Sequence, residues 1–158
     1  VNIASNPPIL HAGRLLFFFT GRNSAHGQIW PHPYGAIGLA TMRPGGIVSI
    51  EAGPTEGRLL TKPFIWPGGK LEINADASVS PHALPGHIRV DVCDTGANPI
   101  EGLTRQDCVP FTGNSEAHTM EWRGERDIGQ AAKLHGGQLR LAFWLRQARL
   151  HWFRAAAQ

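Results

Sequence analysis

The chain is expected to be all-β: a two-sheet, jelly-roll-like β-sandwich with a short N-terminal strand and linker attached. Three observations predict this. Many short segments alternate apolar and polar residues, the period of a strand with one buried face. Turn chemistry separates them, at Pro44-Gly45-Gly46, Pro67-Gly68-Gly69, Thr95-Gly96 and Gly136-Gly137, drawn from 19 glycines and 12 prolines. Only one segment, 127–134, carries a helical pattern. At 158 residues, 42% hydrophobic and 17% charged, the chain has room for one ordinary domain and a small appendage.

The first predicted strand, 14–20, contains the run Leu15-Leu16-Phe17-Phe18-Phe19. A polar stretch with His and Pro, 23–33, follows it. Residues 1–34 therefore read as the last strand of a preceding domain plus a linker, and 35–158 as the sandwich. Its strands are expected at 36–41, 47–51, 58–61, 64–66, 70–75, 87–93, 118–122, 139–145 and 149–154. In 70–75, Leu71 and Ile73 oppose Glu72 and Asn74. In 87–93, Ile88, Val90 and Val92 oppose Arg89, Asp91 and Cys93. In 139–145, Leu139, Leu141, Phe143 and Leu145 form the inner face, while Arg140, Ala142 and Trp144, with Arg146 beyond, form the outer. Asp127 is the expected N-cap of the helix and Gly136 its stop. No internal repeat or low-complexity segment occurs.

Charge narrows the function. The first carboxylate is Glu51, so the first third supplies no acid, base or carboxylate ligand of its own. Arg14, Arg22 and Arg43 lie ahead of it and account for the formal +3, leaving 12 basic and 12 acidic residues in the remainder. Although the pI is near 9.3, the basic residues are scattered without a Lys/Arg cluster, which argues against nucleic acid as a partner. No apolar run approaches the roughly 20 residues of a membrane span. Cys93 and Cys108 permit either one disulfide or two buried free thiols. No Gly-x-Ser-x-Gly elbow and no strand-linked Gly-x-Gly-x-x-Gly is present, so neither a hydrolase triad nor a dinucleotide site has support.

Two segments carry a family resemblance: Gly35-Ala36-Ile37-Gly38-Leu39-Ala40, and Arg43-Pro44-Gly45-Gly46-Ile47-Val48-Ser49-Ile50-Glu51-Ala52-Gly53. Together they resemble the C-terminal β-sandwich region of bacterial glycosidase-like proteins with a five-bladed β-propeller, of the arabinanase and fructosidase kind. The similarity continues through Thr61-Lys62-Pro63, 71–74, 89–94, Cys108, Trp122 and 139–153. In that family the turn reads Asp-Gly-Phe-Val-Ser; Gly45-Gly46-Ile47 stands here, so a role for that acid is absent. Residues 14–21 resemble the closing strand of a propeller's last blade. The resemblance implies a glycoside hydrolase accessory domain rather than the enzyme: a carbohydrate-binding module with an upstream propeller as partner and a secreted or cell-envelope location. No cofactor is implied. Severed from its blade, the first strand is expected to join an edge of the sandwich or to leave an apolar, association-prone edge.

Candidate ligand-binding residues are aromatic. A three-residue loop, 147–149, would make 139–145 and 149–154 a hairpin, with Phe143 opposite Phe153 and Trp144 opposite Trp152. Two outward indoles flanked by Arg140, Arg146 and Arg154 would form a flat surface for stacking a polysaccharide; covering an interface with a neighbouring domain is the competing role. A two-residue loop would instead pair Phe143 with Trp152 and lose the platform. Trp30 and Tyr34 lie in a Pro-rich loop, either as binding aromatics or as pins of a linker, and Trp66 precedes Pro67-Gly68-Gly69, either as a rim aromatic or as a core cap. Trp122 is expected in the core. His26 and His32 lack partners for a closed metal site. Asp91, Asp94 and Asp107 are oxygen ligands of the type a structural Ca²⁺ takes, though their spacing fits no loop motif and solvated turn acids are the simpler role.

Overall fold

The computed structural model describes residues 2–3, 7–23, 35–78, 86–124 and 126–156. It is an all-β protein of antiparallel sheets with one short helix among the described residues, and it divides at Ile47/Val48 into two units. That helix is too short to cross a membrane.

The first unit is a four-stranded sheet of β1 (Asn2–Ile3), β2 (Ile9–His11), β3 (Arg14–Arg22) and β4 (Gly35–Met42). β3 is central. β4 runs antiparallel along one side of it, from Leu15↔Met42 to Arg22↔Gly35, while β1 and β2 share the other. Gly35–Met42, expected as the first sandwich strand, thus pairs with β3 instead, and the first strand joins this sheet rather than a sandwich edge. Gly38 lies under the Phe19 ring: a Cβ there would sit 2.3 Å from that ring, which would have to swing aside. Apolar side chains occupy both faces, with Leu15 and Phe17 on one and Leu16, Phe18 and Leu39 on the other. None of residues 7–23 and 35–47 is buried.

The second unit is the sandwich. One sheet has the order β10 (Gly113–Thr119), β8 (Lys70–Ala77), β12 (Ala148–Ala156), β5 (Ile50–Ala52). In the other, β11 (Gln138–Arg146) is central, with β9 (His87–Cys93) on one side and β6 (Gly57–Leu60) followed by β7 (Phe64–Ile65) on the other. From β7 onward, successive strands alternate between the two sheets. The predicted inner faces are buried: Leu71 and Ile73, Ile88, Val90 and Val92, then Leu139, Leu141, Phe143 and Leu145. The helix α1 (Ile128–Leu134) closes one end with Ile128, Ala131 and Ala132; the Asp127 side chain caps it by accepting from the Gln130 N–H.

The expected β11–β12 hairpin does not form. A single residue, Gln147 at φ 44°, turns the corner, and β12 leaves for the other sheet, pairing with β8 and β5. Phe143 and Phe153 still meet, but across the core, with ring centroids 5.1 Å apart. A bulge explains how β12 reverses its parity. His151 is the extra residue between Leu150↔Ala75 and Trp152↔Asn74, so Leu150 and Phe153 both face inward although they are three apart.

The exposed side of β9 is closed without a strand. Ile88 exchanges backbone hydrogen bonds with Phe111; the Val92 N–H donates to Leu103 and its carbonyl accepts from Ile100. Between them, the Val90 N–H donates to the Cys108 thiol (3.4 Å) and its carbonyl accepts from the Trp122 indole (3.1 Å). Trp122 is therefore half-buried with its N–H committed. Cys93 and Cys108 are both buried free thiols, each pushed up to about 11, first of all by burial, which disfavours the thiolate.

Candidate functional site

Alternation along β11 turns Arg140, Trp144 and Arg146 outward, and pairing with β9 and β6 supplies their neighbours. Trp144 stands opposite Arg89 on one side and Arg58 on the other, while Arg146 pairs with His87 and Arg140 with Cys93. Such partners have Cβ atoms roughly 5 Å apart. Arg58 and Arg89 thus flank one indole in a row across three strands.

The loop after β9 adds a fifth cation. Asp107 accepts from the Thr104 N–H (3.2 Å) and hydroxyl (2.8 Å), tightening the turn that presents Arg105. The Arg105 guanidinium lies 4.0 Å from the Trp144 ring centroid and that of Arg58 lies 5.3 Å from it. Beneath this is Asp91, 3% exposed, whose Oδ2 accepts from the Trp144 indole at 2.6 Å and whose Oδ1 accepts from the Arg105 backbone N–H. Glu56 bridges Arg105 Nη1 (3.0 Å) and His87 Nε2 (3.3 Å). Arg89 donates through Nη1 to the Arg105 carbonyl at 3.4 Å. The Nε groups of Arg89, Arg140 and Arg146 are buried and have no hydrogen-bond partner among the described residues.

The predicted aromatic platform is not assembled. Trp152 pairs with Asn74 on the outer face of the other sheet, so the two tryptophans lie on opposite sides of the sandwich. Trp152 is half-buried, and the Arg154 guanidinium, held by Glu72 (2.8 Å), lies 5.0 Å from its ring centroid. Beside it is a groove of about 310 Å³ lined by Ile50, Leu59, Leu150 and Phe153. Of the two roles open to Trp66, rim or core cap, the structure shows the second: it is 6% exposed and packs 6.2 Å from Phe64, capping the core under a pocket of about 800 Å³ shared with α1. Trp30 and Tyr34, like His26 and His32, lie outside the described residues.

The acids offered for Ca²⁺ are occupied locally. Asp91 and Asp107 hold Trp144 and Thr104. Asp94 accepts from the Asn98 N–H (2.9 Å) and side chain, bonds that hold its carboxyl below the usual range. No group of three or more His, Cys, Asp or Glu among the described residues is placed to hold a metal ion.

Sequence reasoning missed Arg58, Arg105 and Asp91 as parts of one cluster. Alternation did mark Arg89 and Asp91 as outward. Nothing local to Arg58 or Arg105 says that both reach Trp144, since that depends on strand pairing and on a loop folding back. No family model, curated protein or solved structure matches the chain.

Proposed function

We propose that the chain is a non-catalytic, carbohydrate-associated β-sandwich module that works outside the cytoplasm beside a glycosidase-like propeller. The observation that carries the reading is the convergence of Trp144, Arg140 and Arg146, all outward on one strand, with Arg58, Arg89 and Arg105. This is a broad, hydrogen-bond-rich surface rather than a cleft, which suits weak binding of a polymer. Asp91 at its centre is almost wholly buried and accepts from the Trp144 indole and the Arg105 N–H, which makes it an anchor for this surface. A pull-down panel of soluble and insoluble polysaccharides tests the reading. Retention on at least one glycan is expected, and retention on none would end it.

A second reading, a structural domain that buttresses the neighbouring propeller, is favoured by the N-terminal sheet. Both of its faces are apolar, none of its residues with described burial is buried, and Ile37 is 79% exposed. A strand apolar on both sides belongs between two other layers. Residues 48–158 contain the complete core, so the two readings separate experimentally. The whole chain is expected to bind a hydrophobic dye or self-associate, and 48–158 to be monomeric and dye-silent. A monomeric, dye-silent whole chain would remove the buttress reading.

A further inference from the structure

The outer face of the β6–β11–β9 sheet carries mainly one sign of charge. Five guanidiniums, of Arg58, Arg89, Arg105, Arg140 and Arg146, line the face around Trp144, with the carboxylates of Asp91 and Glu56 among them. Asp91 has both oxygens in use and Glu56 is shared between Arg105 and His87. Neither is engaged by Arg140 or Arg146 in any ion pair among the described residues.

The unsatisfied donors concentrate here as well. Among the described residues, the Nε groups of Arg89, Arg140 and Arg146 are buried donors without a hydrogen-bond partner. Because these Nε atoms are buried, what each of the three arginines offers a ligand is its Nη end. The outer edge of a guanidinium, its two Nη groups, matches the two oxygens of a carboxylate or sulfate. A sugar hydroxyl offers a single acceptor and fills that edge poorly. Nor does this face offer the usual sugar platform, since Arg105 already covers the Trp144 ring. Arg140 and Arg146 stand six residues apart on one strand, roughly 20 Å. A ligand that meets both is extended and carries charge along its length.

We infer that this face binds an acidic polysaccharide, one bearing carboxylates or sulfates along its chain. The inference rests on the carbohydrate-associated reading above and names its ligand class.

The test is affinity electrophoresis and calorimetry of the whole chain with polygalacturonate, dextran sulfate, neutral arabinan and double-stranded DNA. Binding to at least one acidic glycan is expected, with the two polymers separating carboxylate from sulfate recognition. Affinity for arabinan and for DNA should be at least about tenfold weaker, a difference one or two charge-assisted hydrogen bonds provide. The paired substitution Arg140→Gln/Arg146→Gln should weaken acidic-glycan binding about tenfold or more, while Lys70→Gln, on the other sheet, should leave it unchanged. Should the double variant misfold, the intact protein decides: retention must fall steeply between low salt and half-molar salt. Equal binding of arabinan overturns the ligand class and leaves the module reading standing. Equal binding of DNA, an equal loss in Lys70→Gln, or salt-insensitive retention overturns the inference. Retention on no glycan removes both.

Discussion

Asp91→Ala is expected to destabilise the protein by about 3–5 kcal/mol, the range for removing one partner from a buried, charged network. The carboxylate is almost wholly buried and accepts two hydrogen bonds, from the Trp144 indole and the Arg105 backbone. Alanine leaves both donors unpaired, and it removes a buried negative charge from a face rich in guanidiniums. Each unsatisfied donor costs about 1–3 kcal/mol. Asp91→Asn is a sharper probe. It keeps the shape but turns one acceptor into a donor, so either Trp144 or Arg105 meets an N–H instead of an oxygen. A loss between wild type and alanine is expected. Urea unfolding with a common slope measures both. A cost below about 1 kcal/mol for alanine would mean that Asp91 does not hold the face together.

Phe143→Ala is expected to cost about 3–5 kcal/mol, the range for truncating a buried aromatic. Phe143 has 0% exposure and is the largest fully buried side chain among the described residues. It stands where β11 faces β12 across the core, packed on Phe153 at a 40° ring angle. Its removal opens a cavity between two sheets whose strands, bonded into their own ladders, cannot collapse to fill it. Phe153→Ala should cost less, because that residue is only half-buried. A double-mutant cycle should return a coupling of about 0.5–1.5 kcal/mol for the ring pair. Additive losses would show that the contact in the structure carries no energy of its own.

These two residues also mark how far the sequence could be read. Phe143 and the inward sides of 70–75, 87–93 and 139–145 were legible because a strand with one buried face writes a period of two into the chain. The Asp127 cap was legible because capping is local. The partners of each strand were not. Gln147 gives no local sign that it turns a corner between sheets, and a loop one residue in length replaces the three expected. The His151 bulge changes parity mid-strand, which alternation alone cannot register. β10 escaped in part because Gly113-Asn114-Ser115-Glu116-Ala117 has no apolar stripe; it is an edge strand with no buried residue. The cationic face depended on long-range pairing throughout. β6 and β11 are some 80 residues apart, so Arg58 and Trp144 become neighbours only in the folded sheet.

The closure of β9 has a consequence in time. Its outer edge is sealed by Ile100, Leu103, Cys108, Phe111 and Trp122, all of which follow β9 in the chain. Its ladder partner β11 comes later still. During synthesis β9 therefore emerges before anything that can cover either side of it, with Ile88, Val90 and Val92 presenting open backbone groups to any other strand. Safety from strand exchange is a property of the finished molecule. It is secured along the middle of the outer edge by one thiol and one indole and only then by β11, and the same stretch stays open to misassembly until both are in place.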